Sequence, residues 1–414
     1  MKETNNKRKR VLVVSRNYNN LLCTARSLAG GDYDIELVRI IQLRYGVLKL
    51  MAKFNPERTC KYVKKYHVCL TDRKPEKFIQ FLMDIHDPER ETLIVPCDDI
   101  SLPWLDDNYE LLKDYYILSD VNQTQGKLKE LMNKQRQKDL AKEAGLAAPG
   151  SHEVCIRGGE FQMPKDISYP CFLKPAVLVM GSKDYLKRYD NDIDLALALE
   201  AMAERFGDID VVVEDFIDIK KEYAVLGLCA GGKVLIPDGC LSFVEGGHGS
   251  RKGIMAVGEV ISSPEILEFL EKLKAYLSGL GYTGLFDVDV LASDTGLYFC
   301  ELNLRFGGSG YAITQCDVNL PKMYAEFMLN GTPLPDEVKL NNIGSRFVSE
   351  KILLEDVTEG FITKQEAEEA IEAADIHFIK DEDDPKPYKR MRTYFATTAK
   401  TMMTMKNVYK KLHH

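Results

Sequence analysis

The segment Gly284–Gly310, "GLFDVDVLASDTGLYFCELNLRFGGSG", constrains the fold of this chain more than any other part of its sequence. Apolar and polar residues alternate on both sides of "ASDTG", which predicts two strands joined by a hairpin turn. The alternation places Asp289 on one face of the first strand, and Glu301 and Asn303 on one face of the second. Pairing of the strands then brings two carboxylates and an amide together, with Asp287 nearby.

This cluster of acidic side chains needs a positive partner. Unpaired carboxylates on one face repel each other and are costly to bury. Oxygen-only ligands suit Mg²⁺ that is also bound to phosphates. For Asp287 and Asp289 alone, an exposed hairpin with a polar face is an equal interpretation. The additional Glu301, Asn303 and Arg305 favour a metal and phosphate site.

The N-terminal part of the sequence alternates apolar runs with helical stretches, which predicts a small parallel α/β sheet. Its strands are expected at four runs: Arg10–Ser15, Asp34–Ile40, His67–Thr71 and Thr92–Asp99. The turn after the first run reads "SRNYNN" and lacks G-x-G-x-x-G, so dinucleotide binding there is not expected.

Composition excludes several classes of protein. The net charge of −8 disfavours binding to nucleic acid. No apolar run approaches the ~18 residues of a membrane span, so no membrane association is expected. The ten cysteines form no C-x-x-C pair and lie mostly in apolar runs, which predicts buried reduced thiols. A reducing compartment follows, and the cytoplasm is the expected location.

Four segments together resemble the ATP-grasp superfamily. "ELNLRFGG", preceded twelve residues earlier by an acidic strand residue, resembles its metal-binding signature. Asn133–Ser151 is similar to its first lysine motif, and "YPCFLKPA" at Tyr169–Ala176 to its second. Val211–Gly227, "VVVEDFIDIKKEYAVLG", resembles its adenine hinge. The four segments occur in the order found in the superfamily and cover the central half of the chain.

The resemblance implies an α/β fold of three parts. Residues 1–120 form a parallel, Rossmann-like N-terminal domain. Residues 121–330 form a two-lobed ATP-grasp domain, with a lid lobe over about 150–214. Residues 331–414 form a mixed α/β extension packed on the ligase body. Helices are expected at Ile193–Phe206, Pro264–Leu280 and Thr363–Ala374, and a loop at Lys380–Arg390.

The resemblance also implies ATP and one or two Mg²⁺ as cofactors, with three groups of site residues. The metal ligands would be Asp289, Glu301 and Asn303. The nucleotide-binding residues would be Lys134 and Lys174 at the phosphates, Gly181, Ser182 and Lys183 in a closing loop, Glu214, Asp215, Phe216 and Ile217 at adenine, and Glu222 at the ribose. The catalytic residues at the acid substrate would be Arg305, Arg251 and Lys252. The loop Val177–Arg188 has a single glycine, so a plain hairpin is nearly as well supported there.

The implied activity is an ATP-dependent ligase that joins a carboxylate to an amine through an acyl-phosphate. Amino-acid and peptide ligases, including D-aspartate ligases, are the most similar members, together with carbamoyl-phosphate-synthase-like enzymes. The expected partners are small amino-acid or peptide-precursor substrates, and a homodimer is one assembly such a chain could form. Two alternatives remain: a bicarbonate-phosphorylating carboxylase-type enzyme and an ATP-binding sensor without turnover.

Overall fold

The computed structural model describes residues 8–42, 55–71, 74–175, 185–243 and 257–397 of the 414-residue chain. Strands β1 to β17 span Arg8–Ser15, Asp34–Gln42, Val63–Thr71, Arg90–Pro96, Asp120–Val121, Ser151–Ile156, Cys171–Pro175, Lys187–Tyr189, Ile209–Asp215, Lys221–Ala230, Lys233–Leu235, Cys240–Phe243, Val257–Ile261, Tyr282–Ser293, Gly296–Asn303, Arg346–Val348 and Ile376–His377. Helices α1 to α12 span Tyr18–Ser27, Pro75–Asp84, Ser101–Asp106, Tyr109–Leu112, Lys127–Leu131, Lys134–Glu143, Asp192–Phe206, Pro264–Ser278, Gly310–Gln315, Leu320–Asn330, Glu350–Glu359 and Lys364–Glu372. The predicted α/β class is confirmed.

The N-terminal sheet is parallel and has the order β3-β2-β1-β4. Its central strand β1 is a run of apolar residues because both of its faces are covered. Val11 and Val13 pack in the same core as Leu21 of α1, whereas Leu12 lies in a second core with Phe78 of α2. The parallel sheet expected from the four apolar runs is present, and its carboxyl edge carries the loops after β1 and β4.

A small antiparallel sheet, ordered β6-β9-β7-β8, follows in the chain. Alternate residues of its strands are buried, as expected for a sheet with one covered face. Leu173 of β7 and Val211 and Val213 of β9 form a core with Leu195 and Leu199 of α7. The opposite face of the same strands carries Lys174 and therefore points away from that core.

A nine-stranded sheet forms the largest layer, with the order β15-β14-β10-β12-β13-β16-β17; β11 pairs with β10 and β5 with β14. Its longest strand, β14, pairs with β15 on one side and β10 on the other. The C-terminal residues extend the same sheet through β16 and β17. The division into three domains stays a prediction.

The C-terminal segment is anchored on the N-terminal sheet layer by a buried arginine. Arg26 of α1 donates from Nε to Oδ2 of Asp384 at 3.2 Å and from Nη1 to the carbonyl oxygen of Ile379 at 2.9 Å. The prediction of a loop over Lys380–Arg390 is wrong beyond Asp384, because residues 385–397 are helical. Met391 and Phe395 of this helix are buried in the main core, and that burial stabilises a helix its charged sequence did not reveal.

All ten cysteines are free thiols, and eight of them are buried; Cys155 is exposed and Cys300 half-buried. Within the described ranges, no helix combines the length and the apolar character needed to cross a membrane.

Candidate functional site

The hairpin of β14 and β15 brings the predicted metal ligands onto one face of the large sheet. Asp287 lies opposite Asn303 and Asp289 opposite Glu301 in the antiparallel register. Nδ2 of Asn303 donates a hydrogen bond to Oδ2 of Asp289 at 3.2 Å. The register shifts immediately after Asp289, so that Cys300 is an extra residue in β15. Such a bulge is frequent beside functional sites because it redirects neighbouring side chains.

The two aspartates of β14 are destabilised as anions. Burial and the neighbouring charge of Asp289 raise the pKa of Asp287 to about 7, although Arg305 opposes this shift. Asp289 is exposed, but partial loss of hydration beside the neighbouring protein groups and the charge of Glu301 also raise its pKa. Oδ1 of Asp287 is buried and makes no hydrogen bond within the described part of the chain. The cluster thus fits a cation, which would relieve the repulsion between the carboxylates.

The protein ligands alone do not complete a cation site. No group of three or more histidine, cysteine, aspartate or glutamate side chains in the described ranges is placed to hold a metal ion. The cluster instead offers the carboxylates of Asp289 and Glu301 and the amide of Asn303. Mg²⁺ requires about six oxygen ligands, so phosphate oxygens or waters would have to supply the rest.

Helix α6 places Lys134 against this cluster, and Gln137 fixes the helix to β15. The buried amide of Gln137 donates from Nε2 to the carbonyl oxygen of Leu302 at 2.7 Å and accepts from the Leu302 N–H at 2.9 Å. Lys134 lies three residues before Gln137 at the start of α6, and its Nζ lies 2.9 Å from Oε2 of Glu301. The predicted phosphate-binding Lys134 is therefore in direct contact with a predicted metal ligand.

The second predicted lysine lies on the small sheet and shares its partner with a lysine of α6. Nζ of Lys174 lies 2.7 Å from Oε1 of Glu214, and Nζ of Lys138 contacts the same oxygen. Burial alone would raise the pKa of Glu214, but Lys174 and Lys138 outweigh it and lower the pKa. Glu214 is thus held as a carboxylate between two ammonium groups.

The expected adenine hinge follows Glu214 at the end of β9, and part of its backbone is already engaged. The Asp215 N–H donates to the carbonyl oxygen of Gly150 at 2.9 Å, and the Phe216 N–H to that of Pro170 at 3.2 Å. These two N–H groups are not available to a base. The Ile217 N–H makes no hydrogen bond within the described ranges, so it is the hinge donor that remains.

Glu222, the expected ribose ligand, lies on β10 next to the metal cluster. It pairs with Leu291 of β14, and Ala224 pairs with Asp289. Residues two apart on a strand share a face, so Glu222 lies on the same face as Asp289. This placement is consistent with a nucleotide lying along that face.

Arg305 follows β15 and joins the metal cluster to the N-terminal sheet. Its Nε donates to Oδ1 of Asp99 at 3.0 Å, and its Nη2 to Oδ1 of Asn303 at 3.2 Å. Its Nη1 lies 3.4 Å from Oδ2 of Asp287. Asp99 lies three residues after β4, at the carboxyl edge of the parallel sheet. Arg305 therefore lies where the carboxyl edge of the parallel N-terminal sheet meets the acidic face of the nine-stranded sheet.

The glycines after Arg305 allow this close approach. A Cβ on Gly307 would lie 2.2 Å from Oδ2 of Asp287, and one on Gly308 would lie 2.6 Å from Oδ1 of Asn20. Any larger residue would collide with the acidic cluster or with α1. The glycines of this turn thus leave room for the side chains of Asp287 and Asn20.

Most predicted site residues lie around the acidic face of the hairpin and the Lys174 face of the small sheet, a region called the cleft below. The others lie outside the described residues. Those brought together around the acidic face and the small sheet are Lys134, Lys174, Glu214, Asp215, Phe216, Ile217, Glu222, Asp289, Glu301, Asn303 and Arg305. Those outside the described residues are Gly181, Ser182, Lys183, Arg251 and Lys252.

Sequence reasoning missed three residues of this cleft: Lys138, Gln137 and Asp99. Lys138 had a usable signal, because it lies one helical turn after Lys134 and shares its face. Asp99 also had one, since residues after the carboxyl ends of parallel strands form binding crevices. Nothing in the sequence pointed to Gln137, because its role depends on the neighbouring strand.

The parallel N-terminal sheet, the small antiparallel sheet and the large sheet with its acidic hairpin together match the ATP-grasp fold. Solved structures show the same fold at TM-scores above one half. L-amino acid ligase from Bacillus licheniformis matches at a TM-score of 0.56 and 16% identity, over 79% of this chain and 75% of that chain. N5-carboxyaminoimidazole synthetase from Staphylococcus aureus, complexed with ADP, matches at 0.55 and 16%, over 80% and 79%. The biotin carboxylase domain of a thermophilic 2-oxoglutarate carboxylase, bound to bicarbonate, matches at 0.59 and 17%, over 82% and 73%.

The sequence relatives match a smaller part of the chain than the solved structures do. No family model matches the chain. Formate-dependent phosphoribosylglycinamide formyltransferase from Pseudomonas putida is 27% identical over 175 residues, which are 41% of this chain and 42% of the relative. The enzyme of the same name from Geobacter metallireducens is 26% identical over 278 residues, or 65% and 67%. The chain thus spans less than half of the first of these relatives. The expectation of ATP and Mg²⁺ agrees with this fold, since structures with it contain ADP or its magnesium salt.

Proposed function

We propose that the chain is an ATP-dependent ligase that activates a small carboxylate as an acyl-phosphate and joins it to an amine. The observation that carries the proposal is the meeting of Lys134 with the acidic hairpin, at 2.9 Å between Nζ and Oε2 of Glu301. A cation bound by Asp289, Glu301 and Asn303 would lie beside ammonium groups suited to phosphates. Phosphoryl transfer needs such charge neutralisation more than it needs a nucleophilic side chain.

In this proposal groups of both layers hold the phosphates of the nucleotide, and the residues at the end of β9 meet its adenine. Lys134 and Lys174 would neutralise phosphate oxygens, and the Ile217 N–H would meet the adenine edge. Glu222 would accept hydrogen bonds from the ribose hydroxyls. Mg²⁺ at the acidic hairpin would supply charge neutralisation at the phosphates. Gly181, Ser182 and Lys183 remain the proposed closing loop.

The acid substrate is proposed to lie at Arg305, where the two sheets meet. An acid that attacks a phosphate brings two anions together, and a guanidinium lowers their repulsion. Arg305 is held by Asp99 and Asn303, so its position is fixed before substrate arrives. Arg251 and Lys252 are proposed as further contacts with the acid. Exclusion of water from the site would protect the acyl-phosphate until the amine attacks and phosphate leaves.

An amino acid, such as aspartate, is the proposed acid substrate. The amino-acid ligase among the solved structures with this fold supports it. A second candidate is supported by the sequence relatives, whose names include formate, and by the fold neighbour bound to bicarbonate. In that case formate or bicarbonate would be phosphorylated and transferred to the amine of a small molecule.

Phosphate release from MgATP tests the proposal and separates the candidates. Amino acids of both hands, formate and bicarbonate would each be supplied with a set of amines, and products identified by mass spectrometry. Asp289→Asn should reduce turnover at least about 1000-fold, because it removes a charged ligand from the metal cluster. Asp294→Asn is the matched control, since Asp294 lies at the exposed turn of the same hairpin. Full turnover of the Asp289 variant would refute the metal assignment.

A further inference from the structure

One carboxylate oxygen in the cleft holds two ammonium groups. Oε1 of Glu214 lies 2.7 Å from Nζ of Lys174 and also contacts Nζ of Lys138. The side chain of Lys138 is 3% exposed, that of Glu214 11% and that of Lys174 22%. The three groups therefore carry one excess positive charge in a largely buried place.

The three residues come from two different layers. Glu214 and Lys174 lie on the paired strands β9 and β7 of the small sheet. Lys138 lies on α6, which Gln137 fixes to the outer strand of the large sheet. The Glu214 carboxylate is thus a contact between the small sheet and the body that carries the metal cluster.

The two lysines are not equivalent. Their like charges repel, so each weakens the attraction of the other to Glu214. Burial, together with the nearby charge of Lys174, lowers the pKa of Lys138 even though Glu214 opposes this. The side chain of Lys138 is almost fully buried, whereas that of Lys174 is partly exposed and has room to turn towards another anion. Lys174 is therefore the lysine that can leave Glu214.

We propose that Lys138 is a positioning residue that stays on Glu214 as its counter-ion and thereby releases Lys174 to the phosphates of a bound nucleotide. This inference rests on the proposed function, because it takes a nucleotide triphosphate as the second anion. Without Lys138, Glu214 would depend on Lys174 alone. Lys174 would then be held more tightly, since breaking a buried ion pair leaves a buried charge uncompensated.

Substitution of Lys138 and Glu214, singly and together, tests whether Lys138 acts through Glu214. Lys138→Met should weaken binding of MgATP about tenfold, the effect of one charged hydrogen bond. Binding of adenosine, which has no phosphate, should change less than about twofold, because Lys174 acts on phosphate only. In the Glu214→Gln background the methionine substitution should have no effect on MgATP, since no carboxylate then competes for Lys174. Lys138→Arg should restore most of the affinity.

Isothermal titration calorimetry of full-length protein with MgATP and with adenosine measures these affinities. Lys142→Met is the matched control, because Lys142 lies one turn further along α6 and is exposed. Lys138→Gln serves the same comparison where the methionine variant does not fold, as judged by circular dichroism.

Three outcomes would overturn this inference while leaving the proposed function in place. Equal weakening of MgATP and adenosine would give Lys138 a structural role only. Unchanged MgATP affinity in Lys138→Met would show that Lys138 does not contribute to nucleotide binding. If Lys138→Met weakens MgATP binding as much in the Glu214→Gln background as in wild type, Lys138 does not act through the Glu214 carboxylate. Wild-type protein that binds neither probe would instead overturn the proposed function, and this inference with it.

Discussion

A methyl group at Gly307 is expected to disable the cleft without unfolding the protein. In Gly307→Ala, the ideal Cβ would lie 2.2 Å from Oδ2 of Asp287. An ordinary contact between carbon and oxygen is roughly 3.3 Å, so the carboxylate would have to move by about 1 Å. That displacement breaks the 3.4 Å contact of Asp287 with Arg305 and shifts the acidic cluster. A misplacement of about 1 Å costs roughly 100-fold in rate, or about 2.7 kcal/mol of transition-state stabilisation.

The assay is phosphate release from MgATP with the best acid and amine, together with thermal unfolding. Gly279→Ala is the control, because its Cβ would make only an ordinary 3.5 Å contact with the carbonyl oxygen of Tyr276. We expect kcat/KM to fall about 100-fold in Gly307→Ala and to stay within about twofold in the control. Wild-type turnover in the Gly307 variant would show that the turn does not set the position of Asp287, and would refute this reasoning.

Two further predictions concern stability. Gln137→Ala should lower the free energy of unfolding by about 3 kcal/mol, because it leaves buried backbone groups of Leu131 and Leu302 without partners; denaturant titration measures this. Burial would raise the pKa of Glu36, but hydrogen bonds from His67 and Arg90 overcome it and lower the pKa from 4.5 to about 2. The ionised carboxylate therefore contributes about 3 kcal/mol above its unfolded pKa, and this is lost as the pH falls through about 2.

The controls for these two predictions separate local from general effects. Lys142→Ala on the exposed face of α6 should change stability by less than about 0.5 kcal/mol, and an equal loss in both variants would contradict the role of Gln137. Glu36→Gln cannot ionise, so the difference in unfolding free energy between wild type and this variant should shrink between about pH 4.5 and 2. A difference that does not depend on pH over that range would contradict the charge assignment of Glu36.

The local pattern of the sequence was sufficient for the elements that bear the site. Alternation on both sides of an unambiguous turn predicted which side chains of β14 and β15 share a face, and the structure has this pairing, although the bulge at Cys300 was not predicted. The parallel N-terminal sheet followed from apolar runs such as that of β1. Lys134 and Lys174 could be singled out because they lie in segments with a recognisable order along the chain.

Contacts between segments that are distant in the sequence could not be predicted from its local pattern. Arg305 and Asp99 are 206 positions apart, and Lys138 and Glu214 are 76 apart. Such pairs depend on how sheets and helices pack, which short-range periodicity does not encode. The helix at 385–397 was missed for a similar reason: its charged sequence has a weak apolar pattern, and burial of Met391 and Phe395 stabilises it.

The attachment of α6 to β15 also bears on the solution behaviour of the protein. β15 is the outer strand at one end of the nine-stranded sheet, and an uncovered outer strand is a template for pairing with other molecules. Here the Gln137 amide takes both backbone groups of Leu302, and the Ala147 carbonyl oxygen accepts from the Phe299 N–H at 2.7 Å. The helix that carries Lys134 therefore also shields this edge, so variants that detach it should be prone to aggregation.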